Sequence, residues 1–368
     1  MERKIKIAQV IGKAAAGGVE SVIMNLYRNI DRNKVQFDFF VEQTSTIIDK
    51  EEINKLGGNV VIIPSYSNPI HYMKELAKLF KEGNYDIVHS NMNALSVFTL
   101  KAAKKAGIKI RIAHSHSTSN KKELLKSIVK NILKPFSKKY ATNYFACSEL
   151  AGRWLFGNKA VDNNKVTIIN NAVDIKKFVY QKEIRDKVRA EYNLLDKFVV
   201  GHIGRFVKQK NHKFLIDIFN EVLKIQTNAV LLLVGEGPLR DDVEAYVEKL
   251  GLKDKVAFVG AQKNIAPFYQ AMDCFVLPSL YEGLPVVGIE AQSNGLPCVF
   301  ADTITKEVAV NNNVIFKSLS EGPESWAKVI CKDIKRTLNN KIENSKYDIH
   351  IECERLVSLY EKLFEGIK

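Results

Sequence analysis

Short β-strand patterns alternate with amphipathic helix patterns along nearly the whole chain, and this alternation restricts the fold more than any other feature. Runs rich in Val, Ile and Phe predict strands, and apolar residues at helical spacing predict a helix after most of them. Strands joined through helices on short connections run parallel in a sheet that is covered on both faces. The strands predicted in the first half are residues 4–11, 37–41, 60–63, 86–89, 109–113, 142–147 and 166–169.

A second series of the same kind begins at residue 198, after the pattern is interrupted at residues 170–174. We therefore predict an N-terminal domain over residues 1–172, a C-terminal domain over residues 173–346, and a final helical segment over residues 347–368. Both domains are expected to be doubly wound, Rossmann-like α/β units. Ligands of such sheets bind beyond the carboxyl ends of the strands, so we expect the two domains to face each other across a central cleft.

The composition narrows the class of protein. The chain has 368 residues, of which 46% are hydrophobic and 26% charged, as is ordinary for a globular protein. It has no apolar run of the ~18 residues that a membrane helix needs, and no signal-peptide pattern. Its five cysteines are far apart without a Cys-x-x-Cys pair, which indicates reduced thiols rather than disulfides or a zinc site. We expect a cytoplasmic protein.

The net charge is unusual. The 55 Lys and Arg residues against 41 Asp and Glu residues give +14. Such an excess favours an anionic partner, which by composition alone is nucleic acid, a phosphorylated substrate or an acidic membrane surface.

Two glutamates, Glu282 and Glu290, flank a Gly283-Leu284-Pro285 turn that follows a predicted strand and opens a helix at about Val286. A strand that ends in a glycine-containing turn and a helix N-terminus is suited to hold an anion. The carboxylates add acceptors for neutral hydroxyls. The pattern therefore predicts either a ligand that carries both phosphate and sugar or an ordinary strand–turn–helix unit whose glutamates are solvated helix charges.

Two further segments of the predicted second domain follow strands. Arg205 and Lys210 lie just beyond the first strand, and a planar guanidinium with a mobile ammonium suits a diphosphate. The alternative is that both are ordinary surface charges of a basic chain, and their position at a strand end favours the diphosphate. Gly235 and Gly237 form a turn after the next strand, where they would either line a nucleotide pocket or only make a tight turn. In the first domain, Gly17 and Gly18 open the first helix and present the same two alternatives.

Two segments of the first domain have chemistry of their own. His114 and His116 follow a predicted strand, but no third metal ligand is evident, so we favour His116 as a hydrogen-bonding or acid–base group. Residues 119–140 carry seven lysines and one acid, with apolar residues at helical spacing. This stretch suits either an anionic membrane surface or a domain helix with a solvated basic face. Its candidate membrane or acceptor-side residues are Lys122, Lys126, Lys130 and Lys134.

These segments, in this order, resemble glycosyltransferase family 4, which has the GT-B architecture of two Rossmann-like domains. The resemblance spans nearly the whole chain. It is carried by Gly-Gly-Val-Glu at 17–20, Ile-Asn-Asn-Ala-Val-Asp at 169–174, Gly-Arg at 204–205 with Lys210, Val-Gly-Glu-Gly-Pro at 234–238, and the Glu282 to Glu290 segment. The run Arg-Ile-Ala-His-Ser-His at 111–116 is similar to that of bacterial enzymes of capsular and exopolysaccharide assembly.

The resemblance implies a metal-independent, retaining transferase that moves a hexose or N-acetylhexosamine from a nucleotide diphosphate sugar, most simply a UDP-sugar. The acceptor would be a glycan or an isoprenoid-diphosphate-linked glycan, with no other cofactor. The helix over residues 347–368 would cross back to brace the N-terminal domain. Gly18 would donate its backbone N–H to the donor phosphate, and Arg205 and Lys210 would neutralise the diphosphate. Glu282 would bind sugar hydroxyls, Glu290 the nucleotide ribose, the amides after Gly283 the distal phosphate or sugar, and His116 would lie beside the donor sugar.

Two positions depart from the family pattern. Asn211 replaces a usual glycine after Lys210, which predicts a different local turn, and Ala172 replaces a usual glycine at the domain junction, which argues against a positive φ there. Three other classes are weaker. A sugar-nucleotide epimerase of the same architecture would need further acids and bases, an NAD-dependent oxidoreductase would need Gly-x-Gly-x-x-Gly, and a nucleic-acid-binding protein would not explain the carboxylate pair.

Overall fold

The computed structural model describes residues 3–13, 18–45, 49–116, 133–136, 138–337 and 341–366. The backbone divides into two compact units. Unit 1 consists of Met1–Ala172 together with Ile349–Lys368, and unit 2 is the intervening Val173–Asp348.

Unit 1 is built on a seven-stranded sheet in the order β3-β2-β1-β4-β5-β6-β7, and every strand pair is parallel. The strands are β1 (Ile5–Gly12), β2 (Val35–Glu42), β3 (Val60–Ile63), β4 (Ile87–Ser90), β5 (Ile110–Ser115), β6 (Asn143–Ala146) and β7 (Val166–Ile168). Helices cover the sheet: α1 (Gly18–Asn29), α2 (Lys50–Lys55), α3 (Pro69–Glu82), α4 (Ser96–Lys105), α5 (Glu149–Phe156) and α6 (Asn158–Asp162).

Local sequence explains where these helices begin. Asn68 caps α3, where its side chain accepts a hydrogen bond from the backbone N–H of His71, and Pro69 occupies the first turn. Ser148 caps α5 in the same way, through the N–H of Ala151. Helix α5 was missing from our sequence-based prediction, although Ser148 followed by the apolar residues Ala151, Leu155 and Phe156 is a recognisable start signal.

Unit 2 has a six-stranded parallel sheet in the order β10-β9-β8-β11-β12-β13. Its strands are β8 (Phe198–Ile203), β9 (Ala229–Val234), β10 (Val256–Gly260), β11 (Cys274–Leu277), β12 (Cys298–Ala301) and β13 (Val314–Lys317). Its helices are α7 (Lys182–Glu191), α8 (His212–Ile225), α9 (Arg240–Lys249), α10 (Ala266–Ala271), α11 (Val286–Ser293) and α12 (Gly322–Ile330). Each unit therefore has the predicted doubly wound α/β organisation, with its own apolar core.

The sequence pattern also predicts one helix near residues 323–339 and no strand at β13; in the structure the helix is shorter and the edge strand is present. Helix α12 ends at Ile330, and the following chain runs back along the unit. Arg336 donates to the carbonyls of Asn294 and Met272, and the N–H of Thr337 donates to the carbonyl of Gly295. These tertiary hydrogen bonds end the helix, and they have no signature in local sequence.

The last helix, α13 (Ile349–Glu365), belongs to unit 1. It packs on α1 and β1, and its buried side chains include Leu356 and Tyr360. The buried carboxylate of Glu352 accepts hydrogen bonds from the backbone N–H of Asn170 at 2.8 Å and from Arg355 Nε at 3.0 Å. Sequence positions 349–366 therefore complete the domain that the first residues of the chain began.

Candidate functional site

Three adjacent strands of unit 2 end at the same edge of its sheet. The order β9-β8-β11 places the loops after Val234, Ile203 and Leu277 side by side, because all three strands are parallel. These loops, together with the helix α11 that follows the last of them, contain the residues that the sequence singled out in this domain: Arg205, Lys210, Gly235, Gly237, Glu282, Gly283, Leu284, Val286 and Glu290.

Several hydrogen bonds join the loop after β8 to the loop after β11. The Leu280 N–H donates to the Gln209 carbonyl at 2.8 Å, and Gln209 Nε2 donates to the Tyr281 carbonyl at 3.0 Å. Asn211 Nδ2 donates to the Pro278 carbonyl at 3.2 Å, and Lys210 Nζ donates to Glu282 Oε1 at 2.7 Å. The two loops therefore form one polar surface.

Asn211 adopts the left-handed backbone conformation, with φ 59° and ψ 44°. Asparagine enters this region more readily than other residues with a side chain, and glycine enters it freely. Asn211 therefore reaches a conformation that glycine also favours, and the difference in the local turn stays a prediction. Ala172 lies outside the left-handed region, as its side chain led us to expect.

Glu282 is a shared acceptor rather than a free carboxylate. Its Oε1 accepts from Lys210 Nζ and from Ser279 Oγ at 3.0 Å, and its Oε2 accepts from Gln209 Nε2 at 3.0 Å. The side chains of Lys210 and Glu282 are 15% and 10% exposed, so the ion pair is largely shielded from water. A carboxylate has about four lone-pair directions, and one is left for a ligand hydroxyl.

Glu290 lies in helix α11, which follows β11, whereas Lys210 follows the adjacent strand β8. The sequence did not reveal the hydrogen-bond partner of Glu290. Tyr269 of α10 is fully buried and donates its hydroxyl to Glu290 Oε2 at 2.7 Å. Burial raises the pKa of Glu290 to about 7, against the opposing effects of the Tyr269 hydrogen bond and the Lys210 charge. The group therefore titrates near neutral pH.

Packing and backbone conformation require glycine in the turn at residues 235–237 but not at Gly283. A side chain at Gly235 would lie 2.1 Å from the Gly204 carbonyl oxygen, and one at Gly237 would lie 2.6 Å from the Phe206 carbonyl oxygen. Both glycines also have positive φ, so the packing of two loops explains them without a ligand. Gly283 has an ordinary φ, and a Cβ atom added to it would meet no heavy atom within 4 Å. Open space remains at this turn.

Arg205 is exposed at the end of β8, and the ion pairs of the described residues do not include it. Its guanidinium is thus available to an anion, whereas Lys210 is already paired with Glu282. Leu284 is buried and anchors the turn, and Val286 begins α11 with Pro285 at the cap position. No side chain in the described ranges makes a capping hydrogen bond at the start of α11, so backbone N–H groups of its first turn have no side-chain partner there.

In unit 1, His116 follows β5 and lies within a cluster of histidines. Its backbone N–H donates to Asn93 Oδ1 at 2.8 Å, and its Nε2 lies 2.8 Å from Asn91 Oδ1. The His114 ring stacks on that of His116, with centroids 3.9 Å apart, and His89 lies 2.9 Å from His114. Burial lowers the pKa of His116 to about 3, which keeps its imidazole neutral at pH 7.

Sequence reasoning did not connect His89 to this cluster, although His89 lies at the end of the predicted strand 86–89. Parallel pairing of β4 with β5 places His89 opposite Ile112, two residues before His114. Three histidines do not make a metal site here. Among the described residues, no group of three or more His, Cys, Asp or Glu side chains is arranged to hold a metal ion.

The remaining predicted residues lie at or beyond the edges of the described ranges. Gly18 begins helix α1, and Gly17 lies outside the described residues. Lys122, Lys126 and Lys130 also lie outside them. Lys134 stacks on the indole of Trp154, with Nζ 4.2 Å from the ring centroid, and burial lowers its pKa. No helix in the described part of the chain has the length and apolar character to cross a membrane.

Family models match both units. Residues 16–177 match the model described as Glycosyltransferase Family 4, and residues 184–348 match the model described as Glycosyl transferases group 1. The fold also matches the crystal structure of Anabaena Alr3699/HepE in complex with UDP and glucose, with a TM-score of 0.80 and 18% identity. That match covers 97% of this chain and 99% of the solved one.

Relatives with curated names agree with these matches. Over 337 residues the chain is 35% identical to a Bacillus subtilis protein named as the glycosyltransferase EpsF, covering 89% of this chain and 87% of the relative. It is 25% identical over 323 residues to the UDP-Gal:alpha-D-GlcNAc-diphosphoundecaprenol alpha-1,3-galactosyltransferase of Escherichia coli, covering 84% and 82%. Two Rossmann-like units with these matches define a protein of the GT-B class. The chain belongs to glycosyltransferase family 4.

Proposed function

We propose that this chain transfers a hexose or N-acetylhexosamine from a UDP-sugar, with retention of the anomeric configuration and without a metal ion. The acceptor is a glycan carried on an isoprenoid diphosphate, in the assembly of a capsular or extracellular polysaccharide. The E. coli relative is named for a UDP-galactose donor and a diphosphoundecaprenol acceptor, and this supports both halves of the proposal.

The observation that carries the proposal is the surface formed by Lys210, Glu282 and Glu290 beside the exposed Arg205. Cleavage of the donor leaves a diphosphate, whose growing charge needs cations or aligned N–H groups. Lys210 and Arg205 supply the cations, and the start of helix α11 supplies N–H groups. Glu290 accepts hydrogen bonds from ribose hydroxyls, and the remaining lone pair of Glu282 accepts one from a sugar hydroxyl.

The residues of unit 1 complete the proposed assignment. Gly18 at the start of α1 donates its N–H to a donor phosphate, and neutral His116 forms a hydrogen bond with a sugar hydroxyl. The first helix has twelve residues, enough for its aligned peptide groups to favour an anion at this end.

A panel of UDP- and GDP-sugars, each with and without a short polyprenyl-diphosphate glycan, tests the proposal. We expect one UDP-sugar to be consumed, with equal activity in EDTA and in magnesium, and a product whose anomeric configuration matches the donor. Conversion of a UDP-sugar to its epimer without acceptor would identify the epimerase class instead. Turnover that is abolished by EDTA and restored by a divalent metal would contradict metal independence.

A further inference from the structure

A continuous row of polar side chains crosses the interior of unit 1. It runs from His116 to Tyr360 in helix α13 and returns to His114. Gln9, His89, Asn91, His114 and Tyr360 are each at most 4% exposed. They come from β1, β4 and its end, β5, and α13. Burying so many polar groups is costly unless they are hydrogen-bonded, so we expect these side chains to form a hydrogen-bonded network.

The hydrogen bonds of this row have one direction. Asn91 Nδ2 donates to Gln9 Oε1 at 2.9 Å, and Gln9 Nε2 donates to the Tyr360 hydroxyl oxygen at 3.3 Å. The only acceptor then left for the Tyr360 hydroxyl among these contacts is His89 Nδ1, at 2.8 Å. His89 therefore carries its proton on Nε2 and donates it to His114 Nδ1 at 2.9 Å.

The same direction fixes His116. Because Asn91 uses its amide hydrogens on Gln9, its Oδ1 faces His116 Nε2 at 2.8 Å as an acceptor, and that nitrogen must carry the proton. Turning both amides around would reverse every bond in the row. It would also place Asn91 Oδ1 3.4 Å from the His89 carbonyl oxygen, where Nδ2 now lies, and two acceptors would then face each other.

We propose that Tyr360, in the last helix, is a positioning residue for His116. The Tyr360 hydroxyl accepts a hydrogen bond from Gln9. This bond together with the His89 carbonyl holds Asn91 in the orientation that puts the proton of His116 on Nε2, which leaves Nδ1 to accept a hydrogen bond from a sugar hydroxyl. The inference rests on the proposed role of His116. The low pKa of this histidine is consistent with a neutral ring at pH 7, for which the tautomer is the only remaining variable.

Nuclear magnetic resonance of the chain labelled with nitrogen-15 histidine tests the tautomer directly, and needs no turnover. The signals of His116 are identified by their loss in His116→Ala. We expect the Nε2–H tautomer in the wild-type protein and a mixture of both tautomers in Tyr360→Phe, since Gln9 Nε2 then loses its acceptor and only the weak contact of Asn91 with the His89 carbonyl still opposes rotation of the two amides. Gln9→Met breaks the row at another link and should give the same mixture.

Tyr72→Phe is the matched control. Tyr72 is also fully buried in unit 1, and its hydroxyl is bonded to Thr99 Oγ1 at 3.0 Å, outside the row. This variant loses a buried hydroxyl bond of similar kind but should leave the His116 signals unchanged. The Nδ1–H tautomer in the wild-type protein, or an unchanged tautomer in both Tyr360→Phe and Gln9→Met, would overturn the proposal.

Kinetics with an active UDP-sugar then separate positioning from packing. Loss of one neutral hydrogen bond should lower kcat of Tyr360→Phe about five- to tenfold, with the donor KM changed by less than about twofold. In a His116→Ala background the same substitution should have no further effect on kcat. An equal loss in both backgrounds would show that Tyr360 does not act through His116. A wild-type chain that turns over no sugar nucleotide would contradict the proposed function, while the tautomer measurement would still decide this inference.

Discussion

Lys210 is paired before any ligand arrives. Its ammonium donates to Glu282 and acts electrostatically on Glu290, so two carboxylates share one shielded cation. A bound diphosphate would compete with these carboxylates for Lys210. The ion pair between Lys210 and Glu282 therefore positions the Lys210 ammonium, in addition to the proposed role of Glu282 in binding sugar hydroxyls.

We expect Lys210→Ala and Glu282→Gln to abolish transfer while the chain stays folded. The first removes a cation from the leaving diphosphate, and the second removes the charge that holds Lys210 in place. Loss of one oxyanion-stabilising group typically costs about 10²–10³ in kcat. Transfer assays and circular dichroism measure the two expectations, with Lys208→Ala in the same turn as the control. Wild-type activity in either variant would contradict the site assignment.

A pH dependence of UDP binding follows from the raised pKa of Glu290. Below pH 7 the carboxyl is mainly protonated and is a poorer acceptor for ribose hydroxyls, so affinity should rise through neutral pH. For a group that titrates near 7, the ionised fraction increases about tenfold from pH 6 to pH 8, and the association constant should follow.

Calorimetry of UDP binding to the wild-type chain and to Glu290→Gln at both pH values measures this effect. The variant shares any titration of the UDP phosphate, so the ratio of the two association constants isolates Glu290. Burial lowers the pKa of His212 to about 4, which removes this neighbour of Lys210 as a source of the change. A constant ratio between pH 6 and pH 8 would show that Glu290 does not bind the donor as a carboxylate.

At this scale, residues in local motifs could be predicted and their partners could not. Glu282, Glu290, Arg205 and Lys210 follow strands in recognisable turns, so their sequence neighbours reveal them. Tyr269 reaches Glu290 from another helix, across twenty-one positions in sequence. A buried tyrosine in an apolar helix has the same local pattern whether or not its hydroxyl has a partner.

Among the elements, the strands were predicted better than the ends of helices. Strand β3 matches the prediction, because Val60–Ile63 is a short apolar run bounded by a glycine turn and Pro64. Helix α12 stops early because Arg336 and Thr337 bind distant backbone groups. Tertiary hydrogen bonds of this kind override local helix preference.

The basic stretch over residues 119–140 remains a prediction for membrane binding. We expect vesicles containing phosphatidylglycerol to bind the protein, and reversal of charge at Lys126, Lys130 and Lys134 to release it. Each basic residue near an anionic surface contributes about 1 kcal/mol, so removing three positive charges should weaken binding by at least about a hundredfold. Vesicle sedimentation measures the bound fraction.

Reversal at three exposed lysines of helix α4, namely Lys101, Lys104 and Lys105, is the matched control because it changes the net charge equally. Retention of this control on vesicles would assign binding to the stretch rather than to overall charge. Failure of the wild-type protein to bind would leave residues 119–140 as a solvated basic face.

For the molecule as a whole, the last helix should determine the stability of unit 1. Leu356 is 1% exposed and Ile351 is 37% exposed in the same helix. Truncation of the buried leucine to Ala should cost about 2–5 kcal/mol, whereas Ile351→Ala should change stability by about 0.5 kcal/mol or less.

Denaturant unfolding reports the two units separately, since the two tryptophans of the chain lie one in each. With Trp326→Phe in both proteins, the fluorescence of Trp154 follows unit 1. Equal unfolding midpoints for Leu356→Ala and Ile351→Ala would show that α13 contributes little to this unit.

The return of α13 to the first unit also sets an order of events on the ribosome. Strands β1 to β7 emerge first, yet the surface that α1 and β1 present to α13 stays uncovered until residues 349–365 have been synthesised. Unit 2 is contiguous in sequence and can complete its core as soon as its own residues leave the exit tunnel. Unit 2 can therefore finish folding before unit 1 does. A chain truncated before residue 349 would have a complete unit 2 joined to an incomplete unit 1.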